Sequence, residues 1–280
     1  MANMKSLLVA LDDTPSSQSA LNFALALAGQ HKARLTGINV LDINWLTRSE
    51  PTPMGAGYYK HHADQVRLQR AHEKAEAERK EFLTACSTAH VTGSVILIEG
   101  QPVEEVRAAA IAHDAIVIGR DTDFHGDSGD GTPARAVGRI LKGLPRPLFV
   151  TTEGAHLPKR ALIAYDGSNQ ASHALQLFVL MGLAEGLQLH LVSVHPEAGH
   201  AEKTLKSAQA YLHLHGLSVT AHPVISGGDP SDEILTRTSV TGADLLVMGA
   251  YGHRGWRETI LGSCTSRLLA HARVPMFIYQ

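Results

Sequence analysis

The sequence predicts two tandem α/β domains, each a doubly wound, five-stranded parallel sheet. Three observations lead there. The 280-residue chain repeats a set of landmarks once, in the same order. Short, continuously apolar runs alternate with stretches of helical periodicity, the pattern of parallel strands covered on both faces. The composition, 44% hydrophobic and 19% charged, is that of an ordinary globular protein whose halves are each long enough to bury a core.

The repeat opens with Leu7-Leu8-Val9-Ala10-Leu11-Asp12 in one copy and Ala161-Leu162-Ile163-Ala164-Tyr165-Asp166 in the other. Each apolar run ends in Asp and is followed by a helix start. Thr14 is the expected N-cap of the first helix, with Pro15 at its first position; Ser168 or Asn169 caps the second. Gly100-Gln101-Pro102 then matches Gly228-Asp229-Pro230, and each opens a helix. Ala115 to Gly119 matches Asp244 to Gly249, and Pro147 to Val150 matches Pro275 to Ile278. The spans 1–152 and 158–280 are the expected domains, joined through the polar stretch Thr152 to Lys159 with its Gly154 and Pro158. In the second copy, strands are expected at 161–165, 188–194, 219–225, 244–248 and 275–279, and helices near 169–184, 201–214, 231–241 and 263–271. Right-handed crossovers wind such a pattern into an open sheet, and ligands sit beyond the carboxyl ends of its strands where strand order reverses. Asp166 and the residues from Gly249 onward are therefore the expected site.

The run from Gly249 to Ser263 has the spacing Gly249, two residues, Gly252, nine residues, Gly262-Ser263, and then a helix. Glycines allow close backbone approach and positive φ, so successive N–H groups can line one concavity. A helix beginning at Ser263 adds unpaired N–H groups and the positive end of its dipole. The pattern reads as a phosphate cradle. The alternative is that these glycines serve turns and close packing. Arg254 and Arg257 lie within the loop. Neither a Walker A loop nor a strand-one GxGxxG is present.

These residues resemble the ATP-binding branch of the universal stress protein family, whose glycine signature is the spacing above, followed by Ser or Thr. The resemblance covers essentially the whole chain as two copies of that family's domain. It implies that Asp166 lies near the adenosine, that main-chain groups near Val194 read the adenine, and that Gly249, Gly252, Gly262, Ser263 and Thr265 hold the phosphates. It also implies that closing strands mediate dimerisation, here available within one chain as a pseudo-dimer, with a further homodimer open.

The first copy departs from the signature. After its fourth strand, Thr122 stands where the second glycine would be, and Gly131-Thr132 falls one residue short. Asp121, Asp123, Asp127 and Asp130 crowd the loop and would repel a triphosphate. This half is expected not to bind ATP tightly, but to be structural or regulatory or to hold a different ligand; Asp121-x-Asp123 lacks the rest of a calcium loop. It also carries extra residues, about 43–64, read either as a surface loop or as a lid or partner-binding segment.

Cys86 and Cys264 stand alone, which suits a reducing compartment. Cys264, at the start of the last helix, is either a small packing residue or a thiol made reactive by the helix terminus. His195 can touch ligand or pack. His61-His62 and His213-x-His215 lack the spacing of a metal site, so surface or packing roles are expected. A net charge of −2 with scattered basic residues gives no reason for nucleic acid or an anionic membrane. The apolar run at Leu7 is too short for a signal-peptide core, and the cytoplasm is the expected location. The function expected is an ATP-binding regulatory protein of the stress-response type, with Mg²⁺ held mostly by the phosphates and with a protein partner that the sequence leaves unidentified. No general base or water-orienting residue is identifiable, so hydrolysis would be slow at most. A nucleotide-independent interaction module and a weak ATPase are the alternatives.

Overall fold

A computed structural model describes residues 4–12, 14–48, 57–122, 133–250 and 262–280. The first half contains strands β1 (Ser6–Ala10), β2 (Arg34–Leu41), β3 (Gly93–Glu99), β4 (Ala115–Gly119) and β5 (Leu148–Thr151). Its helices are α1 (Pro15–His31), α2 (Ile43–Leu46), α3 (Gly57–Thr88), α4 (Pro102–Ala110) and α5 (Pro133–Leu141). The second half repeats this with β6 (Arg160–Ala164), α6 (Asn169–Leu180), β7 (Gln188–His195), α7 (Ala198–Leu214), β8 (Val219–Ile225), α8 (Pro230–Thr241), β9 (Leu245–Gly249), α9 (Ser263–His271) and β10 (Met276–Tyr279).

Local sequence starts the helices as expected. Thr14 and Ser168 cap α1 and α6 with side-chain oxygens, and Asp229 caps α8. The helix expected to reach residue 184 ends at Leu180. Part of the extra segment expected as a loop is helical: α2 occupies 43–46 and α3 begins at Gly57. Its Pro51, Pro53 and Gly55 lie outside the described residues.

All ten strands form one sheet in the order β3-β2-β1-β4-β5-β10-β9-β6-β7-β8. Within each half every pairing is parallel; β5 and β10 pair antiparallel, with Phe149 opposite Phe277. The fold class is as the sequence predicts, with both halves fused into one sheet through their closing strands. Each would otherwise be an open edge. Because that junction is antiparallel, the strands of the two halves run in opposite directions. Their carboxyl ends therefore lie on opposite edges of the sheet. In keeping with this, Arg120, just past β4, donates from Nη1 to the Ala272 carbonyl between α9 and β10 at 2.9 Å.

Alternate strand residues face opposite layers. Leu7 and Val9 join a core with α1, α3, α6 and α7, whereas Leu8 and Ala10 join one with α4, α5, α8 and α9. In the first layer the rings of Phe23, Phe149, Phe277 and Phe178 run in contact across the seam, with centroid separations of 5.4, 5.0 and 5.5 Å. All four are buried.

A clamp not anticipated from sequence repeats in both halves. Asp114 Oδ2 accepts the main-chain N–H groups of Lys5 and Ser6 at 2.7 and 2.9 Å. Asp244 Oδ1 likewise accepts those of Lys159 and Arg160 at 2.9 and 2.7 Å. The signal was an Asp just before the fourth strand in each copy. Each carboxylate fixes the register of the first strand against the fourth.

Phe277→Ala should cost about 3–5 kcal/mol. Since the ring belongs to a cluster spanning both halves, chemical denaturation followed by far-UV circular dichroism should show the whole transition shifting, with neither half keeping its original stability.

Candidate functional site at the carboxyl edge of the second half

Three adjacent parallel strands, β9, β6 and β7, end side by side at this edge. Ala164 is level with Met248 on one side and Val192 on the other. Gly249, Asp166 and Val194 therefore lie one or two residues past the last shared rung. Asp166 Oδ1 accepts the Ser168 N–H at 2.9 Å, and Ser168 Oγ accepts the Ala171 N–H at 3.2 Å. The same turn recurs at Asp12, whose Oδ1 accepts the Thr14 N–H at 2.9 Å. Successive carbonyls of a strand point to opposite neighbours. The His195 carbonyl accepts Ser226 N–H on the β8 side at 3.2 Å, which turns the Val194 carbonyl toward the end of β6.

The helix α9 starts at the same edge, because it runs back to feed β10, parallel to β9. Gly262 is its N-cap and makes no side-chain cap bond; Ser263 is exposed and Thr265 buried. Asp229 and Asp232 hold Arg267 of α9 at 2.7 Å each, bracing α8 against α9. Asp229 is kept below the usual carboxylate range first by the Ser231 hydroxyl and N–H, with Arg267 adding to the effect. Cys264 lies within the reach of both Asp229 and Asp166. Burial, then Asp229, then Asp166 push its thiol up to about 11. Cys264 is half-buried and packs against the second apolar layer, as the packing reading expects.

The two described glycines of the motif differ physically. A Cβ on Gly249 would stand 2.4 Å from the Ala171 nitrogen and 2.4 Å from the Gln170 carbonyl carbon. Gly119 meets Ser16 and Ser17 in the same way, with Ser17 N at 2.8 Å. These glycines let the fourth strand end against the first helix of its half. Among the described residues, a Cβ on Gly262 would have its nearest neighbour, Thr265 Oγ1, at 4.0 Å, and its φ is −55°. Neither its backbone conformation nor contact with a described residue requires glycine there. Positive φ, expected of the cradle glycines, is found at neither Gly249 nor Gly262. Gly252, Arg254, Trp256 and Arg257 lie outside the described residues, as do Asp123, Asp127, Asp130, Gly131 and Thr132 of the first copy. His195 is engaged within the chain: its Nδ1 accepts the Glu197 N–H at 3.0 Å and its ring stacks on His200 at 3.9 Å.

In doubly wound α/β sheets, the ends of the strands where polar residues gather are where ligands bind when the fold carries a site. The chain belongs to the universal stress protein family: the model of that family matches residues 3–122 and again 158–280. A universal stress protein of Synechocystis is 30% identical over 151 residues, which are 51% of this chain and 50% of that one, so the match spans about half of each. The solved structure of a universal stress protein from Archaeoglobus fulgidus superposes over 99% of this chain and 97% of its own, with a TM-score of 0.77 at 20% identity, a likeness of fold. A shorter universal stress protein solved in complex with cAMP matches 45% of this chain and 99% of its own at 20% identity, with a TM-score of 0.37. No described helix is long and apolar enough to cross a membrane.

Two measurements test this geometry. Cys264 should alkylate at pH 8 about a hundredfold more slowly than free cysteine, because so little of it is thiolate; peptide mapping after timed iodoacetamide exposure reads this directly. Asp229→Ala should cost about 1 kcal/mol at neutral pH through the lost cap. The folded-state value of Asp229 is lowered, so its electrostatic share is present above the unfolded value and fades as pH falls through the folded one. Denaturation of both proteins between pH 7 and pH 3 should show the gap narrowing downward.

Proposed function

We propose that the second half binds ATP and that binding and release of the nucleotide act as a regulatory switch. The adenosine lies over Asp166 and the Val194 main chain, and the phosphates lie at Gly262, Ser263 and Thr265, with Gly252 of the same glycine motif as a further contact. Mg²⁺ is carried mainly by the phosphates. The observation that supports this most is Gly262: a glycine at the start of α9 whose φ other residues could adopt and which no described residue crowds, beside an exposed Ser263. A helix N-terminus left uncrowded by the described residues suits a group that must approach main-chain N–H closely, and phosphate is favoured there by charge. Gly249 shapes the floor of the site by letting β9 close on α6, and its contribution to the phosphates is through position. The cellular setting proposed is the cytoplasm, with the ligand-bound state presented to a protein partner.

ATP at a hundred times its Kd should stabilise the native state by about 2.7 kcal/mol, a rise of several degrees in Tm. Gly262→Val or Ser263→Glu should remove that rise while leaving the nucleotide-free Tm nearly unchanged. Gly249→Ala should lower the Tm with or without ATP, since its methyl group meets backbone. A Tm indifferent to ATP, together with no nucleotide released when the purified protein is denatured for mass spectrometry, would rule the proposal out.

A further inference from the structure

The first half repeats the Asp turn but surrounds it differently. A cavity of about 530 Å³ opens at the carboxyl ends of β1 and β2, lined by α2 and by one face of α3. That volume is in the range small ligands occupy. It lies at Asp12, on the opposite edge of the sheet from Asp166.

The two ends of this cavity have opposite chemistry. At the inner end, Asp12 Oδ1 accepts from Thr14 N–H and from Thr14 Oγ1–H at 2.9 and 2.6 Å. Its Oδ2 is buried and has no hydrogen-bond partner among the described residues. An unsatisfied buried acceptor costs roughly 1–3 kcal/mol, and more when charged. Glu78 lines the same wall, where the Asn39 amide donates to it. Burial above all, with the neighbouring Asp12 and Glu81 charges, raises the Glu78 carboxyl; Lys74 and Asn39 oppose this. This wall asks for hydrogen-bond donors.

The outer end is cationic. Arg67, Arg70 and Lys74 line the cavity from successive turns of α3, and Arg48 lines it beyond α2. Three cations from successive turns give the opening a positive potential, partly answered within the protein, since Lys74 acts on the Glu78 carboxyl one turn on. Asp64 reaches Arg67 at 3.7 Å, and Asp42 is bound in capping α2. Arg48 also stacks on Trp45, 4.8 Å from its ring centre. The second half has no equivalent wall: α7 has 17 residues to the 32 of α3, and the chain runs from β7 to α7 without a helix like α2.

We propose that this cavity is a second ligand site, separate from the nucleotide site of the other half, and that it takes a hydroxyl-bearing organic phosphate of the sugar-phosphate class. The hydroxyls donate to Asp12 Oδ2 at the inner end, and the phosphate meets Arg70 and Lys74 at the outer end. Several cations around one opening suit a dianion better than a carboxylate. Trp45 and the apolar residues between the two ends take the faces of the sugar. The anion is held by α3, the reverse of the arrangement proposed for the second half, where a helix start after the fourth strand holds it. This site does not depend on ATP binding in the second half.

Trp45 reports on the cavity, and Trp256→Phe leaves it the sole tryptophan. In that background, ribose 5-phosphate should change Trp45 emission saturably. Ribose and inorganic phosphate, each matching only one end, should not saturate in the same range. Arg70→Glu with Lys74→Glu should weaken binding at least tenfold, and so should the isosteric Asp12→Asn, with circular dichroism verifying that both variants fold. Gly262→Val should leave the titration unchanged, which separates this site from the nucleotide site. The proposal is overturned if ribose 5-phosphate causes no saturable change up to about 10 mM, where a Kd of 1 mM would already be mostly filled. It is equally overturned if the charge-reversed variant binds as the parent does, or if ATP displaces ribose 5-phosphate with the higher affinity, making the cavity a second nucleotide site.

Discussion

The antiparallel pairing of β5 with β10, sealed by Phe149 against Phe277, is the contact on which the rest of the molecule depends. Each half alone is a five-stranded sheet whose closing strand would expose a row of main-chain groups and a large aromatic ring. Joined, the two open edges become the centre of a ten-stranded sheet, and the apolar layers on both faces become continuous. Burial of apolar area and satisfaction of backbone groups are gained in the same place. The free edges are left to β3 and β8, and β8 carries Pro223, which cannot donate to a further strand.

That one junction also sets where ligands can bind. Because it is antiparallel, the carboxyl ends of the two sets of strands face opposite ways, and the turns at Asp12 and Asp166 are held apart on opposite edges. The contacts that link the two sides include the packed Phe23–Phe149–Phe277–Phe178 row, the second apolar layer where α5 meets α9, and polar contacts such as Arg120 to the Ala272 carbonyl and Thr152 Oγ1 to the Arg273 carbonyl at 3.3 Å. Close-packed rings respond to displacement in discrete steps, so a shift at the start of α9 has a physical route to its far end, next to the first half.

The duplicated halves have kept their scaffold and diverged in what surrounds it. The Asp turn, the packing glycine after the fourth strand and the Asp clamp on the first strand occur in both. All three are requirements of the backbone. What differs is the helix that follows the second strand, its length and its charge, and the loop after the fourth. These are surface features that the fold tolerates in many forms, and they are where two different ligand chemistries could arise.

The sequence by itself determined the repeat, the alternation of strand and helix, the helix cap at Thr14, the cap at Ser168 or Asn169, and the glycine spacing that points to Gly262 and Ser263. These are local properties, set by side-chain periodicity and by the conformations that Gly, Pro and capping residues allow over a few neighbours. It left the 43–64 segment open between a surface loop and a lid or partner-binding segment and gave no sign of the helix there, because α3 extends through a polar, weakly periodic stretch. It could not separate Gly249, which packs on α6, from Gly262, which no described residue crowds, because a missing Cβ has the same spelling whatever lies opposite. Nor could it join the halves into one sheet, aim the sites at opposite edges, or bring Glu78 and Asn39 beside Asp12. Those outcomes rest on contacts between residues far apart in the chain, and only the tertiary packing decides which distant surfaces meet.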